Sequence, residues 1–304
     1  MQSLRYYITH VGPTLGSLME RVSYLFHNDE RYLKLLFRLK IGEKLDLEDP
    51  KRFNEKLQWL KLYNQNPEYT DMVDKHKVKN IISEQIGNRY IIPTIGIWNS
   101  ANEIDWDQLP NQFVLKTTHG GGGSGVVICK DKKNFDKTTA IRKLNHSMKV
   151  SGYNRLKEWP YKNVKHRIIA EQYMEDSDNH QFTDYKFHCF NGQPKIVLVC
   201  RDRFSSTGGT KDFYDMEWQH LDIRRELNGN ANNGFECPPE FTEMTRIAKQ
   251  LSKGIPFVRI DLYLANHIVY FGEYTFFPAS GLSRFYPDKW DFVMGDWLKL
   301  PDKN

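Results

Sequence analysis

The sequence predicts an α+β protein, with helices first and antiparallel strands afterwards. Leucines at helical spacing are most regular in the first 70 residues. Three pairs of short apolar runs follow, and each pair is joined by a loop of turn-forming residues, as in strand hairpins. The length of 304 residues indicates two or three lobes rather than a single core.

Composition restricts the functional class. No run of 18 apolar residues is present, and the first 30 residues lack the apolar segment of a signal peptide. The four cysteines (Cys129, Cys189, Cys200 and Cys237) show no metal-binding spacing, so we expect a reducing, cytoplasmic location. The net charge of +5 suits an anionic small molecule. No basic stripe is interleaved with aromatic residues, so a nucleic-acid partner is not expected.

The N-terminal region, residues 1–70, is predicted to be a helical extension. Helical spacing is clearest at Leu33, Leu36 and Phe37, and breaks are expected at Asp49-Pro50 and Asn66-Pro67. Basic residues outnumber acidic ones near these helices. This excess favours a solvated helix face, with peripheral association with the inner membrane face as the alternative.

The remaining elements alternate between helices and strands. Helices are predicted at Asp71–Ile86, Asp136–Lys149 and Phe241–Ser252, the first ended by Gly87. Single strands are predicted at Tyr90–Trp98 and Arg167–Tyr173. Two further hairpins are predicted, one formed by Asp184–Cys189 and Pro194–Arg201 around Asn191-Gly192, the other by Phe257–Leu264 and Ile268–Phe276.

A glycine-rich hairpin, FVLKTTHGGGGSGVVICK, is the strongest functional signal. Strand-like runs at Phe113–Lys116 and Val126–Cys129 flank the loop Thr117–Gly125. Glycine amides can approach a polyphosphate closely because no Cβ intervenes, and Lys116 would place a charge on it. The loop runs into a strand rather than a helix, which excludes a Walker A loop and a dinucleotide-binding fingerprint. The alternative is a plain surface hairpin.

The last hairpin carries the second signal. With Ala265–His267 as its loop, Arg259 would lie opposite Glu273, and Asp261 diagonal to it. Period-two alternation places Arg259, Asp261, Glu273 and Thr275 on one face. Two carboxylates are costly to bury without a cation, and Mg²⁺ is the natural one beside a polyphosphate. The alternative is a cross-strand ion pair between Arg259 and Glu273.

The order of these parts resembles the ATP-grasp superfamily, and most closely its TupA-like branch, associated with teichuronopeptide and surface-polysaccharide biosynthesis. The segments that carry the resemblance lie between about Asp74 and Gly281: Asp74-Lys75, Phe113–Lys116 with its loop, Ala170–Met174, Val258–Asp261, Glu273–Thr275 and Phe277–Gly281. The resemblance implies an ATP-grasp fold, in which two α+β lobes grip ATP between antiparallel sheets. It divides the chain into a helical extension (1–70), a pre-grasp segment (71–112), a small lobe (113–183) and a large lobe (184–304).

The resemblance also implies roles for particular residues. Phosphate contacts would come from Lys75, Lys116, Gly120, Gly121, Gly122, Gly123, Ser124 and Gly125. Glu171, Tyr173 and Asp184 would contact the rest of the nucleotide. The Mg²⁺ ligands would be Asp261, Glu273 and Thr275, the last standing where the family commonly has Asn. Arg259 and Lys116 would be catalytic, joined by Arg201 or Arg203 in place of a lysine common in the family. Substrate would meet Arg203, Ser280 and Gly281.

The activity implied is that of an ATP- and Mg²⁺-dependent carboxylate–amine ligase acting through an acyl phosphate. The TupA-like branch suggests that it joins an amino acid and a sugar carboxylate, with the polar loop 205–233 recognising the acceptor. The alternatives are a small-molecule kinase on the same fold, a glycosyltransferase of capsule or lipopolysaccharide synthesis, and a non-catalytic nucleotide-binding module. A glycosyltransferase would rely on Asp105-Trp106-Asp107. His119 is expected to hydrogen-bond within its loop.

Overall fold

The computed structural model describes residues 12–121, 123, 125–176, 183–201, 209–225 and 234–303. Within them, helices and antiparallel sheets build two hydrophobic cores, which confirms the α+β class. No helix in these ranges combines the length and the apolar character needed to cross a membrane.

From residue 12 onwards, where the description begins, five α-helices precede the first strand: α1 (Gly12–Arg21), α2 (Asp29–Ile41), α3 (Phe53–Tyr63), α4 (Glu68–Val73) and α5 (Val78–Gln85). The predicted helix Asp71–Ile86 is therefore wrong, because it is two helices with a break at residues 74–77. The Asp74 side chain causes the break by accepting hydrogen bonds from the amides of His76 (2.9 Å) and Lys77 (3.3 Å).

The smaller sheet has strand order β1–β4–β2–β3. Its strands are β1 (Thr94–Trp98), β2 (Phe113–Thr117), β3 (Val126–Cys129) and β4 (Ile168–Gln172). Pro93 removes an amide donor, and the first strand begins only after it. Helix α6 (Lys137–Met148), capped by Asp136, packs on β2 and β3. The short helix α7 (Gly152–Leu156) follows it.

The larger sheet has strand order β11–β10–β5–β6–β7–β8. Its strands are β5 (Thr183–Phe190), β6 (Gln193–Arg201), β7 (Thr210–Asp215), β8 (His220–Leu221), β10 (Phe257–Ala265) and β11 (Ile268–Thr275). Helix α8 (Phe241–Leu251) packs on this larger sheet. Strand β9 (Arg224–Arg225) pairs with β12 (Phe285–Tyr286), and helix α9 (Lys289–Trp297) follows β12.

The N-terminal helices share the core of the larger sheet. Phe53 of α3 is fully buried, and its ring lies 4.8 Å from that of Phe257 on β10, 5.6 Å from Phe190 and 6.1 Å from Phe285. The helices that precede the glycine-rich hairpin in sequence are therefore part of the same packed unit as the last hairpin, β10 and β11, which we call the acidic hairpin.

The last hairpin differs in register from the prediction. Its turn has two residues, Asn266 and His267, both with positive φ (52° and 59°), rather than three. A bulge between Asp261 and Leu262 adds a second offset, because Gly272 has no cross-strand partner. Asp261 consequently lies opposite Glu273, and Arg259 opposite Thr275.

Replacing Phe53 with Ala should lower the free energy of unfolding by about 3–5 kcal/mol, because it leaves a cavity among three aromatic rings. Denaturant titration followed by far-UV circular dichroism measures the change. Leu35→Ala, at an exposed position on α2, is the matched control and should shift stability by no more than about 0.5 kcal/mol. Equal losses in the two variants would contradict this account of the core.

Candidate active site

A cavity of about 600 Å³ lies between the glycine loop and one face of the larger sheet. His119, Gly120 and Gly121 line one side. The opposite side is formed by side chains that share a face of five strands: Lys186, Leu198, Cys200, Lys211, Phe213, Arg259, Glu273 and Thr275. The two strongest signals in the sequence therefore line one cavity, although about 150 residues separate them in the chain.

A buried carboxylate, Asp261, organises the charges on this face. Its Oδ1 accepts from Arg259 Nε at 2.6 Å, and its Oδ2 accepts from Lys186 Nζ at 2.6 Å and Arg259 Nη2 at 2.7 Å. Arg259 also donates to Thr275 Oγ1 (3.1 Å), and Lys186 lies 3.1 Å from Asp184. The cross-strand ion pair expected between Arg259 and Glu273 is present but long, at 3.7 Å.

In this cluster, burial and neighbouring charges have opposite effects on the pKa values of Asp261 and Lys186. Burial by itself would raise the pKa of Asp261, but Arg259 and Lys186 outweigh burial and hold it at about 2. Burial likewise opposes the charge on Lys186, yet Asp261 and Asp184 raise its pKa above the ordinary value. Asp261 and Lys186 therefore stay ionised around neutral pH, and Lys186 and Arg259 are held at the cavity wall.

The predicted Mg²⁺ ligands differ in their availability. Glu273 lines the cavity, and its neighbouring cations, Lys75 at 3.6 Å and Arg259 at 3.7 Å, leave its carboxylate only loosely held. Its hard oxygens, with the Thr275 hydroxyl beside them, fit Mg²⁺ chemically. Asp261 is fully buried with both oxygens occupied, so it would have to release a cation to bind a metal. The described residues contain no group of three or more His, Cys, Asp or Glu side chains arranged to hold a metal.

Lys75 links the two sides of the cavity. It lies in the break between α4 and α5, where its amide donates to the Thr118 carbonyl at 3.0 Å. Its ammonium donates to the Gly120 carbonyl and lies 3.6 Å from Glu273. The helix break at Asp74 therefore places Lys75 between the glycine loop and the acidic hairpin. Asp74 also pairs with Arg167, at 3.0 Å.

Lys116 lies outside the large cavity. Its ammonium pairs with Glu171 at 2.6 Å, and Lys79 of α5 pairs with the other carboxylate oxygen, also at 2.6 Å. Burial would raise the pKa of Glu171, but the two lysines lower it instead. These residues border a separate space of only about 20 Å³, together with Lys75. Glu171, which the resemblance predicts to contact the nucleotide, is therefore a buried counter-ion for two lysines.

The glycine loop packs closely on strand β2 and helix α6. A Cβ on Gly125 would overlap the hydroxyls of Thr117 and Ser147, which explains glycine at that position. His119 Nε2 donates to the Ser147 carbonyl (3.1 Å), and its ring stacks on that of His166, with 3.5 Å between the ring centres. Its hydrogen bond therefore reaches helix α6 rather than its own loop. Burial and the neighbouring His166 lower the pKa of His119 to about 4.

Other predicted site residues lie in mixed positions. Ser280 lines the cavity, and Gly281 is buried beside it. Arg201 is not among the residues lining the cavity; its guanidinium stacks on Phe235, 4.7 Å from the ring centre. Tyr173 donates to Glu175 at 2.8 Å, away from the cavity, and Asp184 is buried beside Lys186. Gly122, Ser124 and Arg203 lie outside the described residues, as do residues 205–208 and 226–233 of the predicted loop 205–233. The prediction of a loop is wrong for the part between them, which contains strands β7, β8 and β9.

Sequence reasoning missed several residues that line the cavity or lie near it. Lys186 was overlooked, although it alternates with Asp184 on one strand and so shares its face. Lys79, Lys61 and Glu158 gave no signal, because helical or loop positions do not reveal which distant strand they meet. The Asp105-Trp106-Asp107 segment, in contrast, is explained locally: Asp105 accepts hydrogen bonds from the amides of Asp107 and Gln108 within its own turn.

The sequence profile of the TupA-like ATP-grasp family matches residues 55–299, which is most of the chain. The chain belongs to the TupA-like ATP-grasp family. This confirms the ATP-grasp fold class expected from the sequence. No curated protein sequence matches the chain.

Similar solved structures include ATP-grasp ligases. The D-alanine–D-alanine ligase from Helicobacter pylori is 14% identical, with a TM-score of 0.45, over 82% of this chain and 70% of that one. The D-alanine–D-alanine ligase from Bacillus anthracis is 16% identical, with a TM-score of 0.36, over 67% of this chain. The match spans 56% of the length of the Bacillus anthracis ligase. The ligase PsnB, complexed with minimal precursor, Mg and ADP, is 11% identical, with a TM-score of 0.39, over 82% of this chain and 62% of that one.

Two buried histidines predict how stability depends on pH. Burial, with Arg259 nearby, lowers the pKa of His188 to about 3, and burial lowers that of His119 to about 4. In the unfolded chain both titrate near 6.5. As the pH falls below 6.5, these histidines bind protons in the unfolded state but not in the folded state. Each histidine should therefore reduce the free energy of unfolding by up to about 1.4 kcal/mol per pH unit, until the pH reaches its pKa in the folded protein.

His188→Phe should therefore flatten the loss of stability between pH 6.5 and pH 4, measured by urea titration at each pH. His146→Gln, at an exposed position on α6, is the control and should keep the wild-type slope. A His188→Phe slope equal to that of the wild type would mean that His188 is protonated in the folded protein.

Proposed function

We propose that this TupA-like ATP-grasp protein is an ATP- and Mg²⁺-dependent carboxylate–amine ligase that acts through an acyl phosphate. The observation that carries the proposal is the shared cavity, in which the glycine loop faces the cations Lys186 and Arg259. The small lobe (113–183) and the large lobe (184–304) would close on ATP from either side. Phosphoryl transfer depends chiefly on positioning and on compensating negative charge, and this cavity offers both.

The residues would divide the work as follows. The loop amides and Lys75 would hold the phosphates, and Lys116 would join them by exchanging Glu171 for a phosphate oxygen. A substrate carboxylate would attack the γ-phosphate, and ADP would leave. Arg259 and Lys186 would stabilise the negative charge of the acyl phosphate, since Asp261 holds them at the wall without free rotation. An amine would then displace phosphate to form the amide.

Mg²⁺ would enter with ATP, and it would neutralise charge on the phosphate oxygens. Glu273 is the residue best placed to hold it, with Thr275 beside it. Asp261 would contribute only after giving up Lys186 or Arg259, so its first role is to position those two cations.

The substrates would be an amino acid and a sugar carboxylate on a surface-polysaccharide precursor. The support is family membership, together with the basic side chains of Lys211, Arg224 and Arg225, which line the cavity and favour an anionic acceptor. The reaction would take place on the cytoplasmic side, where ATP is available.

The decisive experiment measures ADP release against a panel of uronic acids and amino acids, with and without Mg²⁺. A ligase should release ADP only when a carboxylate is present, and hydroxylamine should trap an acyl hydroxamate. ADP release with a hydroxyl substrate and no hydroxamate would replace the ligase with a kinase. Binding of a UDP-sugar but not ATP would favour a glycosyltransferase.

Glu273→Gln should reduce carboxylate-dependent ADP release by about 10²-fold or more, because it removes an anionic oxygen donor from the metal position. The control is Glu243→Gln, on helix α8, whose carboxylate pairs with the exposed Arg89. It should keep the wild-type rate. Full activity of Glu273→Gln at limiting Mg²⁺ would exclude Glu273 as a metal ligand.

A further inference from the structure

Three carboxylates line the cavity among the described residues: Glu20, Glu158 and Glu273. Glu273 is the proposed metal ligand. Glu20 is held by two cations, Lys40 at 3.0 Å and Arg155 at 2.7 Å. Glu158 remains, and neither the proposed phosphate contacts nor the proposed metal position accounts for it.

Glu158 belongs to a polar cluster built on helix α3. The ammonium of Lys61, a residue only 2% exposed, donates to Ser280 Oγ at 2.6 Å, to the Ser280 carbonyl at 2.8 Å and to the Leu156 carbonyl at 3.1 Å. These fixed acceptors hold the lysine below the cavity wall. Glu158 and Ser280 themselves face the cavity, whereas Lys61 does not. The carboxylate is therefore the group of this cluster that a substrate can reach.

The environment of the cluster favours proton transfer. Burial raises the pKa of Glu158 above its ordinary value, although the charge of Lys61 opposes the rise. Burial lowers the pKa of Lys61 to about 8. A carboxylate whose pKa is raised towards neutrality is a stronger base than an ordinary glutamate while still ionised.

Glu158 also lies on the side of the cavity where the proposed chemistry takes place. Tyr161, three residues further on, lines the same cavity as Glu273 and Arg259. Ser280 belongs to the turn that directly follows β11, the strand of Glu273. Glu158 therefore lines the same cavity as Arg259 and Lys186, the cations that would hold the acyl phosphate.

We propose that Glu158 is the general base for the amine substrate, with Lys61 and Ser280 as positioning residues; this inference rests on the proposed ligase function. The substrate ammonium transfers one proton to the Glu158 carboxylate. The nitrogen lone pair then forms the C–N bond at the acyl carbon, the bond from that carbon to the phosphate oxygen breaks, and phosphate leaves with the bonding pair and the second amine proton. Glu158 afterwards releases its proton to solvent.

Glu158→Gln separates the two half-reactions. The variant should still convert carboxylate and ATP into acyl phosphate, trapped by hydroxylamine at a rate within about threefold of the wild type. Hydroxylamine is a weak base that is largely unprotonated near pH 7, so it needs no general base. Amide formation with an amino acid should fall by about 10²-fold or more. Lys61→Met should show the same split, because the carboxylate loses its fixed counter-charge.

Glu20→Gln is the matched control at the same cavity and should leave both half-reactions unchanged. Wild-type amide formation by Glu158→Gln would overturn the proposal. Loss of both half-reactions in Glu158→Gln would also overturn it, provided that the circular dichroism and melting temperature of the variant match those of the wild type. Glu158 would then act before the amine enters. If the wild type forms no hydroxamate with any carboxylate, the ligase function itself fails, and the assignment of Glu158 fails with it.

Discussion

The buried carboxylate of Asp261 is the constraint on which the rest of the site depends. Asp261 and Glu273 are direct cross-strand neighbours, an arrangement that repels unless cations intervene. Arg259 and Lys186, on the same strand and on the next one, supply those cations at 2.6 Å. Removal of the Asp261 carboxylate would take the nearest anion from both cations, and breaking a buried ion pair in this way typically costs about 3–5 kcal/mol. The cluster therefore acts as a unit, and Glu273 is its member most open to the cavity.

The sequence predicted this face but not its register. Period-two alternation was enough to group Arg259, Asp261, Glu273 and Thr275, since a shift of two residues preserves the face. The pairing depended on two local details, a two-residue turn and a bulge at Gly272. Gly272 was a usable signal for the bulge, because an isolated glycine within a strand often marks one. A Cβ there would lie 2.8 Å from the Tyr263 ring and 2.9 Å from the Asp261 carbonyl.

Ion pairs between distant parts of the chain were harder to predict from the sequence than the bounds of helices and strands. The glycine hairpin and helix α6 begin and end within a residue or so of their expected bounds, because caps, glycines and β-branched runs are local signals. Whether Lys116 meets a phosphate or Glu171 depends instead on how two lobes come together. Lys79 competes for the same carboxylate from a helix whose start was misplaced. The sequence indicates Asp74-Lys75 as a motif. It does not predict that the Asp74 side chain accepts hydrogen bonds from the amides that follow it and so interrupts the helix.

The N-terminal helices belong to the site rather than being appended to it. After β11 the chain enters a turn in which Ala279, Ser280 and Gly281 all have positive φ (46°, 57° and 60°), and such backbone is costly for the two residues that carry a Cβ. Gln58 of α3 donates to the carbonyls of Ser280 and Gly281, both at 2.9 Å, and Lys61 adds its bonds to Ser280. Without α3, these carbonyls would be buried with no donor. Helix α3 therefore stabilises the turn that presents Ser280 to the cavity.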